Sequence, residues 1–381
     1  MAASAQGALS LRIGSGVADV PAAAWDALHD GGNPFVCHRF LALLETSGSV
    51  GPGTGWQAAP LLVEDDAGTL LAAAPAYLKG HSQGEYVFDH SWADAWERAG
   101  GSYYPKLQLA VPFTPVNGPR LLGRDPDATA MLLRGAEAVV RANGLSSAHA
   151  TFVDPAQVDQ FADAGWLLRR DTQFHFANPG YPDFSAVLDS LTSTRRKQLR
   201  KERARAQAQV RIENRRGVAI EPADWDAMWQ FYQDTGARKW GRPYLTRAAF
   251  DLLAEAMADD IILSMAYDGE RAVAGAMHFV GNDALYGRYW GTCADIPFLH
   301  FELCYYQAID LAISLRLPRV EAGAQGGHKL ARGYAPVPTW SAHYIPDAGF
   351  RRAVAEFLER ERAAEAMEAA WLEVHLPFRQ G

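Results

Sequence analysis

Two stretches of the chain concentrate side chains able to bind anions, polarise carbonyls or move protons. The first runs Arg288-Tyr289-Trp290-Gly291-Thr292 and resumes at His300-Phe301-Glu302-Leu303-Cys304-Tyr305-Tyr306-Gln307. The second is Glu321-Ala322-Gly323-Ala324-Gln325-Gly326-Gly327-His328-Lys329-Leu330-Ala331-Arg332-Gly333-Tyr334. Residues 301–315 carry helical spacing, with Glu302, Tyr305, Tyr306 and Ile309 on one stripe from the first turn. A first-turn carboxylate suits the helix dipole, and Glu302 facing a cleft can take a proton from an attacking amine. The same residues also read as a capping glutamate with packed tyrosines. In the second stretch, Gly323, Gly326 and Gly327 let backbone N–H groups approach an anion. Lys329 and Arg332 add positive charge, on one face if the segment is helical, and His328 can donate or accept. Such a group can hold a carboxylate or phosphate, or stabilise the oxyanion of acyl transfer. Glycine turns bearing surface charges are the plainer alternative. Arg288, Tyr289, Trp290, His300, Glu321 and Gln325 complete the set of candidate substrate contacts.

Three further clusters carry chemistry. Residues 237–244 contain Lys239, Trp240 and Arg242 and read as a loop with exposed cations and aromatics, a candidate lid. In the first half, Asp89, His90, Trp92, Tyr103, Tyr104, Lys106 and Gln108 form a polar-aromatic group that either lines a second pocket or packs structurally. From Arg195 to Arg216 there are ten Lys or Arg against Glu202 and Glu213, in a chain whose net charge is −8. That stripe is either a solvated helix face or a footprint for something phosphorylated, including a tRNA backbone. No aromatic residue interrupts it, so base stacking is not expected.

The elements that must position these residues repeat. The first half reads as a short strand (11–13), helices near 21–28 and 34–46 with Asn33 as cap, then a hairpin of 57–64 and 70–79. A strand (106–111), a helix (127–142) and strands 149–153 and 166–176 complete it. Asn178-Pro179-Gly180-Tyr181-Pro182 makes a boundary. Beyond it come helices near 184–209, 222–235 and 246–258, strands 261–267, 272–280 and 285–290, the helix 301–315, strands 319–322 and 340–345, and a terminal helix 349–374. A meander followed by strand–helix–strand argues an α+β class with mixed sheets. The order resembles the N-acetyltransferase (GNAT) fold in tandem, with domains at 1–178 and 179–381.

The composition, 49% apolar and 21% charged, is that of a globular chain with sizeable cores. The three cysteines make no disulfide framework. No run is long enough for a membrane span, and the N-terminus lacks the pattern of a secretory signal, so a cytoplasmic protein is expected. Phosphate-loop, dinucleotide, nucleophile-elbow and zinc-protease motifs are absent, so no metal is expected. The stretch 292–300, where an acetyltransferase would carry its glycine turn for coenzyme A pyrophosphate, has no glycine nest and contains Asp295.

The two long motifs, together with Tyr103-Tyr104-Pro105-Lys106-Leu107 and Pro112-Phe113-Thr114-Pro115-Val116-Asn117-Gly118-Pro119-Arg120, resemble the bacterial FemAB-like family over about residues 33–362. The resemblance implies tandem GNAT-like domains, each a mixed sheet flanked by helices, and a transferase placing an acyl or aminoacyl group on an amine. Fem enzymes carry amino acids from aminoacyl-tRNA to the stem peptide of a peptidoglycan precursor. By this resemblance the donor is aminoacyl-tRNA or acyl-CoA, with no tightly bound cofactor. By the same resemblance Lys329, after His328, stands for the late lysine that neutralises negative charge in those enzymes; the helix reading of the residues themselves adds Glu302 as base, with Tyr305 beside it. Two alternatives are an acyl-CoA-dependent N-acyltransferase on a small metabolite and a non-catalytic protein that binds cell-wall fragments.

Overall fold

The computed structural model describes residues 8–239, 243–323 and 326–378, with the side chains of 236–239 and 373 left aside. The chain forms two compact units. The first comprises residues 1–171 and 339–365, the second 172–338 and 366–381. The sequence reading cuts once, at 178/179, and assigns everything beyond to the second domain. Residues 339–365 instead complete the first.

In the first unit, β1 (Ser10–Ile13), β3 (Leu61–Glu64), β4 (Leu70–Ala74) and β7 (Leu122–Gly123) make one antiparallel sheet in the order β1-β3-β4-β7. A second sheet runs β2 (Trp56–Ala58), β5 (Ala76–Lys79), β6 (Lys106–Leu109), β8 (Ala148–Val153) and the part of β15 (Ala335–Tyr344) that lies in this unit. The expected hairpin forms, but both arms break at prolines: Pro60 separates β2 from β3, and Pro75 separates β4 from β5. A proline supplies no N–H to a ladder, so each arm changes sheets there. Helices α1 (Ala22–Asp26), α2 (His38–Thr46) and α3 (His90–Arg98) surround the sheets, and α4 (Pro126–Ala142) is the crossover between the parallel strands β6 and β8. Asp125 caps α4 by accepting from Asp127 N–H, with Pro126 at the first turn. The helix lays Ala128, Leu132, Ala136 and Val140 on Leu61, Val63, Leu107, Leu109 and Ala150. Asn33 caps a turn, accepting from Phe35 N–H, and α2 begins only after Cys37. A short α5 (Val158–Asp163) leads into β9 (Leu167–Ala177).

The second unit is a mixed sheet, β10 (Arg211–Arg216), β11 (Ile261–Asp268), β12 (Arg271–Val280), β13 (Ala284–Thr292), β14 (Arg319–Glu321) and the end of β9. β10 was not expected; Arg-rich and polar, it reads as more of the basic stripe, and only pairing with the apolar β11 makes it a strand. The long basic helix is two helices, α6 (Phe184–Ser190), capped by Asp183, and α7 (Ser193–Gln207). Leu191 bridges to Phe378 and Thr192 N–H bonds Pro377 O, so the C-terminal tail holds the break. After α8 (Pro222–Lys239) and α9 (Arg247–Ala256) the meander leads to α10 (Leu299–Phe301), a π-turn at Glu302–Tyr306 and α11 (Gln307–Ser314), one helix with one widened turn. A 3₁₀ turn (Gly327–Arg332) precedes β15, and α12 (Ala348–Val374) follows. Each unit thus holds the meander and helical crossover to a parallel strand that the sequence implies, a tandem GNAT-like α+β fold.

The helix α8 crosses β13 so closely that a Cβ at Gly291 would lie 2.0 Å from the Phe231 carbonyl oxygen. Only glycine fits, because the obstacle is backbone. Gly291→Ala should therefore cost about 2 kcal/mol or more of stability by overpacking, read as a lowered urea midpoint. An unchanged midpoint would show that α8 can lift off the sheet.

Candidate functional site

In the second unit, β13 and β14 pair in parallel for only three residues, Ala284–Tyr286 against Arg319–Glu321. β13 continues to Thr292 while β14 ends, so the two strands part beyond Tyr286 and Glu321. A bulge lies just past that point: Met277 faces Tyr289 and His278 faces Gly287, leaving Arg288 as the extra residue. Arg288, Tyr289 and Trp290 are all half-buried there.

The residues after Glu321 turn back over the same place. Gly323, at φ 80°, offers its carbonyl to Lys329 Nζ at 2.7 Å. Lys329 is 1% exposed, and burial lowers its ammonium to about 8. The 3₁₀ turn eclipses positions three apart, so Lys329 and Arg332 do share a face, but their partners differ. Arg332 binds Glu202 of α7 at 2.9 Å, lies 3.4 Å over the Phe301 ring and donates to His328 O. These contacts tie the 3₁₀ turn to α7 and to Phe301. His328 is exposed, and its Nε2 meets Tyr305 Oη at 2.8 Å, with the His300 ring 5.4 Å from that of Tyr305. His300 packs against Trp290 at 5.1 Å. Lys329 and Tyr305 are thus buried, Arg288, Tyr289, Trp290 and His300 are half-buried and His328 is exposed, with Tyr289 packed on Tyr232 of α8 at 5.2 Å.

Glu302 and Tyr306 turn the other way. Glu302 is 0% exposed, and its Oε1 accepts from Arg203 Nε (3.3 Å), Gln207 Nε2 (2.9 Å) and Gln307 Nε2 (2.7 Å). The contact with Gln307, five residues on, exists because a π-turn brings such positions together. Gln307 in turn accepts from Asn214, which accepts from Ser264. Tyr306 donates to Glu202. The single stripe expected from α-helical spacing is therefore divided by the widened turn: Tyr305 faces the 3₁₀ turn, Glu302 and Tyr306 face α7. Gln325, Trp240 and Arg242 lie outside the described residues, as does the side chain of Lys239.

Glu321 sits where the strands part, 3% exposed. Register places Tyr286, Glu321 and His175 in one row across β13, β14 and β9. Arg319 Nε binds Glu321 Oε1 at 2.9 Å, and His175 Nε2 stands 3.8 Å from Oε2. Burial raises the Glu321 carboxyl to about 6, against the pull of Arg319, and burial lowers His175 to about 3. His175 and Gln173, which share this face, were missed in sequence because a Gln-Phe-His alternation reads as an ordinary strand edge.

The first-unit group assembles without His90, which is exposed. Lys106, 0% exposed, binds Asp89 (2.5 Å), Glu85 (2.9 Å) and Ser82 (2.8 Å). Tyr103 donates to Asp89 and Tyr104 to Ser82, and Trp92 packs edge-on to His343 at 4.8 Å. His149 and His343 meet Nδ1 to Nδ1 at 2.7 Å, with Ser147 on His149 and Ser341 on His343. Burial holds both imidazoles neutral, His149 lowered to about 3. Lys79, beside Glu85, is lowered by burial to about 7. The histidines, Glu85 and Lys79 escaped the sequence reading because polar alternation in strands looks like a solvent face. Elsewhere in this unit Asp26, His29 and Cys37 approach one another closely enough to suggest a metal. However, His29 Nδ1 accepts from Gly31 N–H, which leaves Nε2 carrying a proton toward Asp26 and unable to ligate.

Two outcomes follow. Arg332→Ala leaves Glu202 buried without its cation and should cost about 3–5 kcal/mol, measurable by chemical denaturation; a loss below about 1 kcal/mol would show the pair to be solvated. The buried neutral histidines bind protons only on unfolding, since their folded values lie below the ordinary 6.5 or so. Their contribution is full above about pH 6.5 and is lost as pH falls towards 3 through the folded values of His149 and His175. A melting temperature flat across that range would contradict their burial.

Among solved structures, the chain resembles the C-terminal (DUF2156) domain of a putative lysylphosphatidylglycerol synthetase from Agrobacterium fabrum, at 11% identity and TM-score 0.53 over 88% of this chain and 94% of that one. It resembles FemX at 10% identity and TM-score 0.53 over 88% and 98%. L-PGS from Bacillus licheniformis matches at 11% identity and TM-score 0.50 over 89% and 96%. At such identities the likeness is one of fold. No curated protein sequence matches the chain. Residues 16–380 match the model of the FemAB-like family, described as peptidoglycan biosynthesis/recognition. With the motifs, the tandem fold and that match in agreement, the chain belongs to the FemAB-like family and is a transferase of the Fem type.

Proposed function

We propose that the second unit transfers an aminoacyl group from aminoacyl-tRNA to an amine of a peptidoglycan precursor, with the reaction centred where β13 and β14 part. The observation that carries this reading is the buried ammonium of Lys329, held by the Gly323 carbonyl just past the end of β14. When an amine adds to an ester carbonyl, negative charge develops on the carbonyl oxygen. A fixed cation in low-dielectric surroundings stabilises that charge without reorganising. Below about pH 8 Lys329 is largely protonated and able to do so. Arg288 on the bulge, His300 and His328 are the contacts we assign to substrate.

The choice of tRNA over coenzyme A is supported by two features. Residues 292–300 have no glycine nest for a pyrophosphate, and Phe298 with φ 67° precedes the first helical turn. On α7, Lys197, Arg200, Lys201 and Arg205 are exposed along one side, while Arg196, Arg203, Arg211 and Arg215 are tied to acidic partners. The exposed four form the tRNA contact of this proposal. No helix among the described residues is long and apolar enough to cross a membrane, and a tRNA donor with a nucleotide-linked acceptor calls for a cytoplasmic setting.

The test combines thermal-shift binding and transfer assays with acetyl-CoA, charged and uncharged tRNA, and a UDP-linked muropeptide. Charged tRNA and the muropeptide should stabilise the protein and yield aminoacylated peptide. Lys329→Ala should lower transfer about a hundredfold or more, and the wild-type rate should fall as pH rises past about 8. Stabilisation by coenzyme A that persists in Lys329→Ala, with no response to tRNA, would replace this reading with an acyl-CoA-dependent transferase.

A further inference from the structure

Resting on the reading above, we infer that Glu321, and not Glu302, is the catalytic proton acceptor: its bare carboxylate oxygen stands where β13 and β14 part, on the segment that anchors Lys329. Both glutamates are buried, so their partners separate them. Glu302 spends one oxygen on three N–H donors, and Arg203 neutralises it while also pairing with Asp310. It faces α7, the wrong side of the helix from Tyr305 and His328. Its role is to lock the π-turn.

In both glutamates Oε2 is buried without a hydrogen-bond partner among the described residues; they differ in the other oxygen, which meets three donors in Glu302 and one in Glu321. Arg319 occupies Oε1 of Glu321. His175 Nε2, at 3.8 Å from Oε2, is too distant to bond it. A buried, unpartnered carboxylate oxygen is costly, and an incoming N–H donor would satisfy it. Two residues later, the Gly323 carbonyl holds Lys329 Nζ. One tripeptide, Glu321-Ala322-Gly323, therefore supplies the group that takes a proton and the anchor of the group that meets the oxyanion. Other charged or titratable groups act on Glu321 from each packed element: Arg319 on its own strand, Tyr286, Arg288 and Asp283 on or beside β13, and His175 on β9.

The step balances within these groups. The neutral acceptor amine adds to the ester carbonyl, forming the C–N bond and sending the carbonyl electron pair to the oxygen beside Lys329. The amine's proton passes to Glu321 Oε2. The oxyanion then collapses, the ester C–O bond breaks, and the leaving ribose oxygen takes the proton from Glu321, restoring its carboxylate.

The experiment compares Glu321→Gln, Glu302→Gln and the wild type in transfer from charged tRNA to the UDP-linked muropeptide. Glu321→Gln should lower kcat by about 10²–10⁴ with KM nearly unchanged, and should remove the fall in rate below about pH 6. Glu302→Gln should keep that pH limb even where it lowers stability. If Glu321→Gln transfers within a fewfold of wild type while Lys329→Ala does not, the assignment of Glu321 fails and the functional reading stands. If the wild type transfers to no acceptor, the functional reading fails. Infrared titration of the ¹³C-glutamate-labelled protein then decides: a carboxyl band titrating near 6, absent only from Glu321→Gln, retains a poised Glu321, and its absence from wild type overturns it.

Discussion

Charge cannot be left alone inside a protein, and in this chain it is buried on the faces of sheets. Each ionisable group taken out of water costs several kcal/mol unless partners replace the lost hydration. In the first unit Lys106 is surrounded by Glu85, Asp89 and Ser82, and the His149–His343 pair stays neutral. In the second, Arg319 answers Glu321 and the Gly323 carbonyl answers Lys329. Apolar cores on the opposite faces, α4 on one sheet and α11 on the other, supply the burial that lets these polar faces persist. Such precise placement suits a reaction whose charges appear and vanish at one carbonyl.

Secondary structure in the second unit serves that placement through two departures from regularity. The bulge at Arg288 reorients β13 where it loses its neighbour, and the π-turn redistributes a helix that would otherwise present one continuous polar stripe. Both add one residue to a repeating pattern, and both cost local regularity that the surrounding contacts must offset. Gln307, reaching Glu302 across the widened turn, with Asn214 and Ser264 behind it, is that compensation in the helix.

Much of this was legible in the sequence. Apolar periodicity and turn residues gave the meanders, the crossover helices and the tandem order, and the density of Gly, His, Lys and Arg marked residues 321–334. What escaped has physical causes. A π-turn leaves no trace in spacing, so Glu302 and Tyr305 were read as facing together. Arg211–Arg216 has no strand-like composition and becomes β10 through its partner. Polar alternation in β6, β8 and β15 has the period of a half-exposed strand, and only tertiary cover turns Lys106, His149 and His343 inward. Neutralisation of Arg203 by Glu302 and Asp310 joins residues far apart in the chain.

The division of the chain between its units governs how the protein can be made. Residues 339–365 belong to the first unit, although the whole β10–β14 sheet is encoded before them. During synthesis the first unit therefore lacks its β15 strand and the start of α12 until most of the second unit has left the ribosome. The half translated first is the last to gain its closing strand. His149 waits without His343 in that interval, its sheet edge open, and an unpaired edge of this kind is where another chain can intrude. Splitting the gene at the loop near residue 178 would make that interval permanent for the N-terminal fragment.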